Sequence, residues 1–200
     1  QLALYKNVGN INEPEFEWIT DDYSGFGILN FKNNIIPTFG DLDNDGDQDM
    51  LIGNSDGKLY LFNNSLVNDE SYFALVDIEY FDIDVGSFAS PFLSDLDRDG
   101  DLDLIIGTRQ GQIFYYENRG SASEADFVLA SEQLGNINLT DPVYNMAYTT
   151  PIVIDGENGY ELYVGTKRGS VHHYTNIDNN IDGVFEEVSD SLLLYAKGTR

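Results

Sequence analysis

The sequence predicts an all-β fold assembled from repeated units of four short antiparallel strands. Two observations support this: one order of proline, acidic loop, glycine-ended apolar run and aromatic strand recurs along the chain, and no stretch carries a convincing helical period. Hydrophobic residues make up 42% and aromatic residues 13% of the 200 positions. This composition favours a folded chain with a substantial core over a disordered one.

Each unit opens with a proline four residues before an aspartate, and an apolar strand that ends in glycine follows. A second glycine then marks a turn that leads into an aromatic strand. The repeated positions are Pro37, Asp41, Gly53 and Gly57, then Pro91, Asp95, Gly107 and Gly111, then Pro151, Asp155, Gly165 and Gly169.

An aromatic strand ending near an asparagine, a polar linker and one more short strand complete each unit. The asparagines Asn7, Asn64, Asn118 and Asn176 are 57, 54 and 58 residues apart. The predicted aromatic strands lie at residues 2–5, 59–62, 113–116 and 171–174, and the predicted last strands at residues 16–19, 72–76, 127–130 and 185–188.

A four-stranded unit repeated at this spacing is typical of one blade of a β-propeller. Periods of roughly 20–50 residues indicate solenoids, propellers or arrays, and a slightly longer unit fits a blade. A single blade cannot bury both faces and must pack on its neighbours. We therefore predict one β-propeller segment over residues 1–200, divided approximately into a partial repeat 1–30 and repeats 31–80, 81–135 and 136–200.

By this repeat arithmetic the chain starts inside the third strand of a blade and stops near Lys197, where the next proline is expected. About three and a half blades are present, whereas propellers have about four to eight. We therefore expect this segment to be part of a larger propeller. In the alternative interpretation, the N-terminal half-blade and the strand near Phe185 complete each other around a small ring.

Two nine-residue loops carry an aspartate at every second position. Like charges at this density repel each other unless a hard cation binds among them, and Ca²⁺ takes six to eight oxygen ligands at roughly 2.3–2.6 Å. Gly46 and Gly100 stand at loop position 6, where the chain must turn sharply. The loops therefore predict two Ca²⁺ sites with side-chain ligands at positions 1, 3, 5 and 9 and a backbone carbonyl at position 7. The aspartates are Asp41, Asp43, Asp45, Asp47 and Asp49 in one loop and Asp95, Asp97, Asp99, Asp101 and Asp103 in the other.

These loops differ from EF-hands, in which a bidentate Glu occupies position 12. Here that position holds Ile52 or Ile106, within a predicted strand. The alternative interpretation is a solvated acidic turn without metal. In the third repeat, ten residues rather than twelve separate Asp155 from its strand-ending glycine, and Gly156 and Gly159 suit a tight hairpin. We expect no Ca²⁺ there, although Asp155 and Glu157 could bind one weakly.

With these motifs the chain resembles the FG-GAP/VCBS repeats, the calcium-binding blades of integrin α-chain propellers and of many bacterial surface and secreted proteins. The shared pattern is P-x-x-x-D-x-D-x-D-G-x-x-D-L-I-x-G-x-x-x-G-x-[LI]-x-[YF]-x-x-N. The resemblance implies one Ca²⁺ in each competent blade and a location outside the cell, most plainly on a bacterial outer surface. It also suggests cargo of an outer-membrane secretion system in a Gram-negative bacterium. The implied ligands are Asp41, Asp43, Asp45 and Asp49 with the Asp47 carbonyl, and Asp95, Asp97, Asp99 and Asp103 with the Asp101 carbonyl.

The net charge and the composition of the chain exclude some classes of binding partner. The net charge is −25, so two Ca²⁺ ions would cancel only four units of it, and the surface should repel nucleic acid and anionic membranes. The sequence contains no run of about 20 apolar residues, the length that a membrane-spanning helix needs. There are no cysteines, so Ca²⁺ would replace disulfides as the cross-link, and the millimolar Ca²⁺ outside cells favours an extracellular location.

No catalytic motif emerges from the sequence. The only histidines, His172 and His173, are adjacent on a predicted strand and should point to opposite faces, so they cannot share a metal. We predict a non-catalytic calcium-stabilised propeller segment that serves binding, adhesion or scaffolding, with a protein or glycan partner at the cell surface. The alternatives are a carbohydrate-binding module and an accessory propeller of a polysaccharide-degrading enzyme. For the tyrosines on the strands, core packing is favoured over stacking on sugars.

Overall fold

A computed structural model of the protein describes residues 2–23, 34–67 and 70–190. These residues form antiparallel sheets with no α-helix, and short 3-10 turns occur at Tyr80–Asp82 and Leu134–Asn136. The all-β class and the four-stranded antiparallel units are therefore confirmed. None of the helices in these three ranges is long and apolar enough to cross a membrane.

The strands fall into four groups in chain order. Strands β1 and β2 form the N-terminal pair, β3–β6 the first sheet, β7–β10 the second sheet and β11–β14 the third sheet, each paired in sequence order. The bounds are β1 Leu4–Asn7, β2 Phe16–Thr20, β3 Ile36–Gly40, β4 Asp49–Gly53, β5 Leu59–Val67, β6 Glu70–Asp77, β7 Ser90–Ser94, β8 Asp103–Gly107, β9 Ile113–Asn118, β10 Phe127–Ser131, β11 Thr150–Gly156, β12 Gly159–Gly165, β13 Val171–Thr175 and β14 Glu186–Ser189.

The predicted aromatic strands overlap β1, β5, β9 and β13, and the predicted last strands overlap β2, β6, β10 and β14. The bounds differ: β1 begins at Leu4 rather than at residue 2 and continues to Asn7, β5 continues to Val67, and Phe185 precedes β14. Gly156 pairs with Gly159 across a two-residue hairpin, as the third repeat predicted. The repeat boundaries stay predictions, and residues 24–33 and the C-terminal stretch around Lys197 lie outside the described residues.

The hydrophobic core lies between neighbouring sheets. Strand β8 is buried on both faces, because Leu104 and Ile106 pack towards the first sheet while Ile105 packs towards the third. This alternation follows from the two-residue period of a strand. A further cluster around Met50 and Phe62 joins the first sheet to the N-terminal pair. Each sheet thus buries its faces only by stacking on its neighbours, as repeat proteins do.

The repeated proline and glycine meet at the contact between sheets. A Cβ added at Gly107 would lie 2.2 Å from the carbonyl oxygen of Thr149 and 2.7 Å from Cδ of Pro151. The same two distances occur at Gly53, against the next sheet's Ala89 and Pro91. The strand-ending glycine is therefore required because the first strand of the following sheet crosses directly over it.

Stacked sheets are shown, but a closed ring is not. Within the described ranges the N-terminal pair and the third sheet share no strand pairing. The structure is therefore consistent with a propeller-like repeat.

Replacing Gly107 by alanine should lower the free energy of unfolding by about 3 kcal/mol, since the added methyl group collides with backbone of the next sheet. Gly86→Ala is the matched control: its φ is +87° but nothing lies within 4 Å of the added Cβ. It should cost about 1 kcal/mol of backbone strain. Urea unfolding measures both, and equal losses in the two variants would contradict the crossing.

Candidate metal sites

The two acidic loops adopt the same backbone conformation. The first acidic loop, residues 41–49, joins β3 to β4, and the second acidic loop, residues 95–103, joins β7 to β8. Position 4 is left-handed in both, with φ of 59° at Asn44 and 63° at Arg98. Position 6 has φ of 97° at Gly46 and 102° at Gly100, which explains the glycine predicted there to permit a sharp turn.

Carboxylate oxygens converge in each loop. Ligand atoms of Asp41, Asp43 and Asp49 all lie within 4.8 Å of one another, and those of Asp95, Asp97 and Asp99 do the same. Among the described residues, these are the two groups of acidic or histidine side chains with such spacing. An arrangement of three carboxylates around one small volume suits a hard cation with oxygen ligands.

The last aspartate of each loop is buried and fastens the loop to its sheet. Asp103 is 1% exposed, and its Oδ1 accepts the Asn118 N–H at 2.9 Å while its Oδ2 accepts the Leu96 N–H at 3.0 Å and the Tyr115 hydroxyl at 3.1 Å. Asp49, 2% exposed, accepts from the equivalent backbone groups of the first sheet. Asn64 in β5 and Asn118 at the end of β9 are therefore partners of the acidic loops.

Four of the ten predicted ligand residues lie outside the two convergent groups. Asp45 and Asp47 lie outside the first convergent group, and Asp101 and Asp103 lie outside the second. Three buried carboxylate oxygens in the loops accept no hydrogen bond: Oδ1 of Asp47, Oδ1 of Asp95 and Oδ1 of Asp101. Buried carboxylate oxygens normally have a partner, so these orphaned atoms fit a site for a cation.

The electrostatics of the loops favour a bound positive charge. Desolvation, followed by the charges of Asp45, Asp43 and Asp41, raises the pKa of Asp47. In the second loop, desolvation is again the main cause and raises the pKa of Asp103 to about 6. Burial and, to a smaller extent, the neighbouring charges thus disfavour the ionised carboxylates, and a divalent cation would offset both effects. On these grounds the residues present fit Ca²⁺, while the ligand set itself stays a prediction.

In the third repeat, an arginine binds the carboxylate that would begin an acidic loop. Arg98, at position 4 of the second acidic loop, contacts Asp155 with Nη2 at 2.8 Å from Oδ1 and Asp178 with Nε at 2.6 Å from Oδ1. Its guanidinium lies 3.8 Å from the ring centroid of Tyr160. A cation from the neighbouring sheet thus neutralises Asp155, which supports the prediction that this repeat binds no Ca²⁺.

Several contacts of the loops are missed by sequence reasoning. The Tyr160 hydroxyl donates to the carbonyl oxygen of Asp95 at 2.7 Å, and Asn63 Nδ2 donates to Asp43 Oδ2 at 2.6 Å. The sequence does single out Arg98, because it is the only basic residue in either acidic loop. Nothing in the repeat pattern marks Asp178 or Tyr160, which come from other strands and connections.

The two histidines have separate partners. His172 Nδ1 lies 2.7 Å from Oε1 of Glu187. His173 Nε2 lies 3.0 Å from Oε2 of Glu161, and its ring stacks on Tyr163 at 4.5 Å. Each imidazole therefore faces its own carboxylate.

Comparison with known proteins gives one family match. The family model described as FG-GAP-like repeat matches residues 41–106, from the first aspartate of the first acidic loop to Ile106 within strand β8. No curated protein and no solved structure matches the chain. The match confirms the resemblance to FG-GAP-like repeats over both acidic loops.

Replacing Arg98 by methionine should lower the melting temperature, because Asp155 and Asp178 lose their cation while the hydrophobic stem is kept. Arg119→Met is the control, since Arg119 pairs with Glu117 within one sheet. Differential scanning fluorimetry at low and high salt compares the two. A loss no larger than that of the control would contradict a stabilising contact between the second and third sheets.

In excess chelator, the free energy of unfolding should fall as the pH rises from about 4 to about 6. The raised pKa of Asp103, about 6 against a usual 3.8, means that the folded state binds this proton more tightly than the unfolded state across that window. Denaturant titrations of the wild type and of Asp103→Asn isolate the effect, because the variant lacks the titrating group. Identical pH slopes in the two proteins would refute it.

Proposed function

From the FG-GAP-like repeat at residues 41–106, we propose that the chain is a non-catalytic, Ca²⁺-binding β-propeller segment that serves binding, adhesion or scaffolding outside the cell. One observation carries the proposal: carboxylates converge within 4.8 Å in each of two loops with equivalent backbone. Such groups are unfavourable without a cation and become favourable with one.

The proposed mechanism is rigidification of the loop ends of the sheets. Asp41, Asp43 and Asp49 would hold one ion and Asp95, Asp97 and Asp99 the other, with nearby loop aspartates and carbonyl groups completing each shell. Bound Ca²⁺ supplies charge neutralisation and no reaction step. The buried aspartates then transmit the fixed loop geometry to β4, β5, β8 and β9, through hydrogen bonds to strand and loop backbone.

A larger propeller is the architecture we propose for the parent of these sheets. Neighbouring sheets stack through continuous apolar clusters. In the part of the chain that the structure describes, the N-terminal pair has two strands where the other sheets have four, and Tyr5, Phe16 and Trp18 on it are at least half exposed. An exposed aromatic face of this kind suits the packing of a further blade.

The FG-GAP-like repeat also supports our proposals on where the protein is located, what it binds and whether it is an enzyme. FG-GAP repeats typically occur in extracellular or surface proteins and are generally non-enzymatic, which supports a binding role at the cell surface with a protein or glycan partner. Cargo of a bacterial outer-membrane secretion system fits this role. The strand tyrosines Tyr115, Tyr116 and Tyr174 are buried, which supports core packing for these side chains.

Thermal unfolding with Ca²⁺ and with EGTA tests the proposal. Saturating Ca²⁺ should raise the melting temperature by several degrees, because a ligand at a hundredfold excess over its dissociation constant contributes about 2.7 kcal/mol and each kcal/mol is worth about 2–4 °C at this size. Asp43→Ala and Asp97→Ala should each reduce the rise, and the double variant should abolish it.

Glu132→Ala is the matched control, because it removes one exposed carboxylate outside both acidic loops. It should keep the full Ca²⁺-dependent rise. An undiminished rise in both single variants and in the double variant would overturn the assignment of the two loops.

A further inference from the structure

The connection from the second to the third sheet contains an insertion. In the connection from the first to the second sheet, the Val85 N–H donates to the carbonyl oxygen of the turn glycine Gly57, and the Ala89 N–H donates to that of Asn54. In the connection from the second to the third sheet, the Leu139 N–H donates to the carbonyl oxygen of the turn glycine Gly111, and the Thr149 N–H donates to that of Thr108. Three residues lie between Val85 and Ala89, and nine lie between Leu139 and Thr149. Insertions in single repeats often form the binding face of repeat proteins. We call residues 140–148 the insertion loop.

The insertion loop has a defined conformation. Asp141 Oδ1 accepts the N–H groups of Val143 at 2.7 Å and Tyr144 at 3.1 Å, and its other oxygen pairs with Arg168. Near the other end of the loop, the carbonyl oxygen of Ala147 accepts the N–H of Lys167 at 2.7 Å. The loop is thus tied to the β12–β13 turn at two points, which lowers the ordering cost for a ligand that binds there.

A pocket of about 350 Å³ lies between the insertion loop and the β12–β13 turn, residues 166–170. Its volume is at the lower end for small-molecule sites, enough for one six-membered ring with substituents. The lining is mostly apolar, with hydroxyl groups at the turn. The apolar part includes Leu139, Pro142, Tyr144 and Met146, and Ser170 and Thr166 supply hydroxyl groups.

Among the basic side chains that line the pocket, Lys167 has no carboxylate partner in the described ranges. Arg168 pairs with Asp141, and His172 lies against Glu187. Lys167 contacts Met146 Sδ at 3.4 Å and lies 5.4 Å from the ring centroid of Tyr148, and in the described ranges no carboxylate pairs with it. Screening over about 8 Å at physiological salt limits the repulsion from the distant aspartates.

We propose that this pocket binds a small ring-bearing carboxylate, with the ring against the apolar lining and the carboxylate at Lys167 Nζ. Ser170 and Thr166 would bind ring substituents. A sugar acid such as a hexuronate and an aromatic acid share this chemistry. The inference deepens the proposed binding role, yet it involves no residue of the acidic loops, so Ca²⁺ binding and ligand binding can fail independently.

Ligand-observed and protein-observed NMR titrations test the site with four probes: glucuronate, benzoate, glucose and benzyl alcohol. At least one carboxylate should bind with a dissociation constant on the order of 1 mM, as expected for about ten heavy atoms. Its neutral counterpart should bind at least about fivefold more weakly. Binding of glucuronate alone identifies a saccharide site, and binding of benzoate alone an aromatic acid site.

Lys167→Gln should weaken the carboxylate at least about fivefold and leave the Ca²⁺-dependent melting rise unchanged. Arg119→Gln, which removes a cation outside the pocket, should bind the carboxylate like the wild type. The proposal is overturned if neither carboxylate binds at about 20 mM, if the neutral probes bind equally well, or if Lys167→Gln binds like the wild type.

Discussion

A buried aspartate at the end of each acidic loop links the candidate metal sites to the sheets. Asp49 and Asp103 accept backbone N–H groups from the start of their own loop and from an asparagine of the aromatic strand, Asn64 in β5 and Asn118 in β9. The loop conformation and the strand pairing therefore depend on the same carboxylate. Because these two residues also begin the central buried strands β4 and β8, any change in the loop acts directly on the core.

The second constraint is that no sheet buries its own faces. Apolar clusters join each sheet to the next, and the strand-ending glycine permits the following sheet to cross closely. Arg98 of the second acidic loop adds a charged contact at one of these interfaces, to Asp155 in β11 and to Asp178 in the β13–β14 connection. The order of the second loop and the docking of the third sheet are thus coupled through one side chain.

Local repetition made much of this architecture predictable from sequence. The period-2 strands, the glycine at loop position 6 and the two-residue hairpin at Gly156 all follow from rules that act over a few residues. The contacts that depend on three-dimensional packing were not predictable: Arg98 with Asp178 joins residues 80 positions apart, and the pocket at Lys167 arises from an insertion whose effect needs the neighbouring sheet. The sequence named ten aspartates, whereas only the structure shows which of them converge and that Asp49 and Asp103 fasten their loops.

The central claim is that two acidic loops each hold one Ca²⁺, while the third repeat uses an arginine instead. Calorimetric titration of chelator-stripped protein with Ca²⁺ tests it most directly. The account predicts two ions bound per chain. No binding would mean that the loops are plain acidic turns, and a third ion bound with similar affinity would contradict the role given to Arg98.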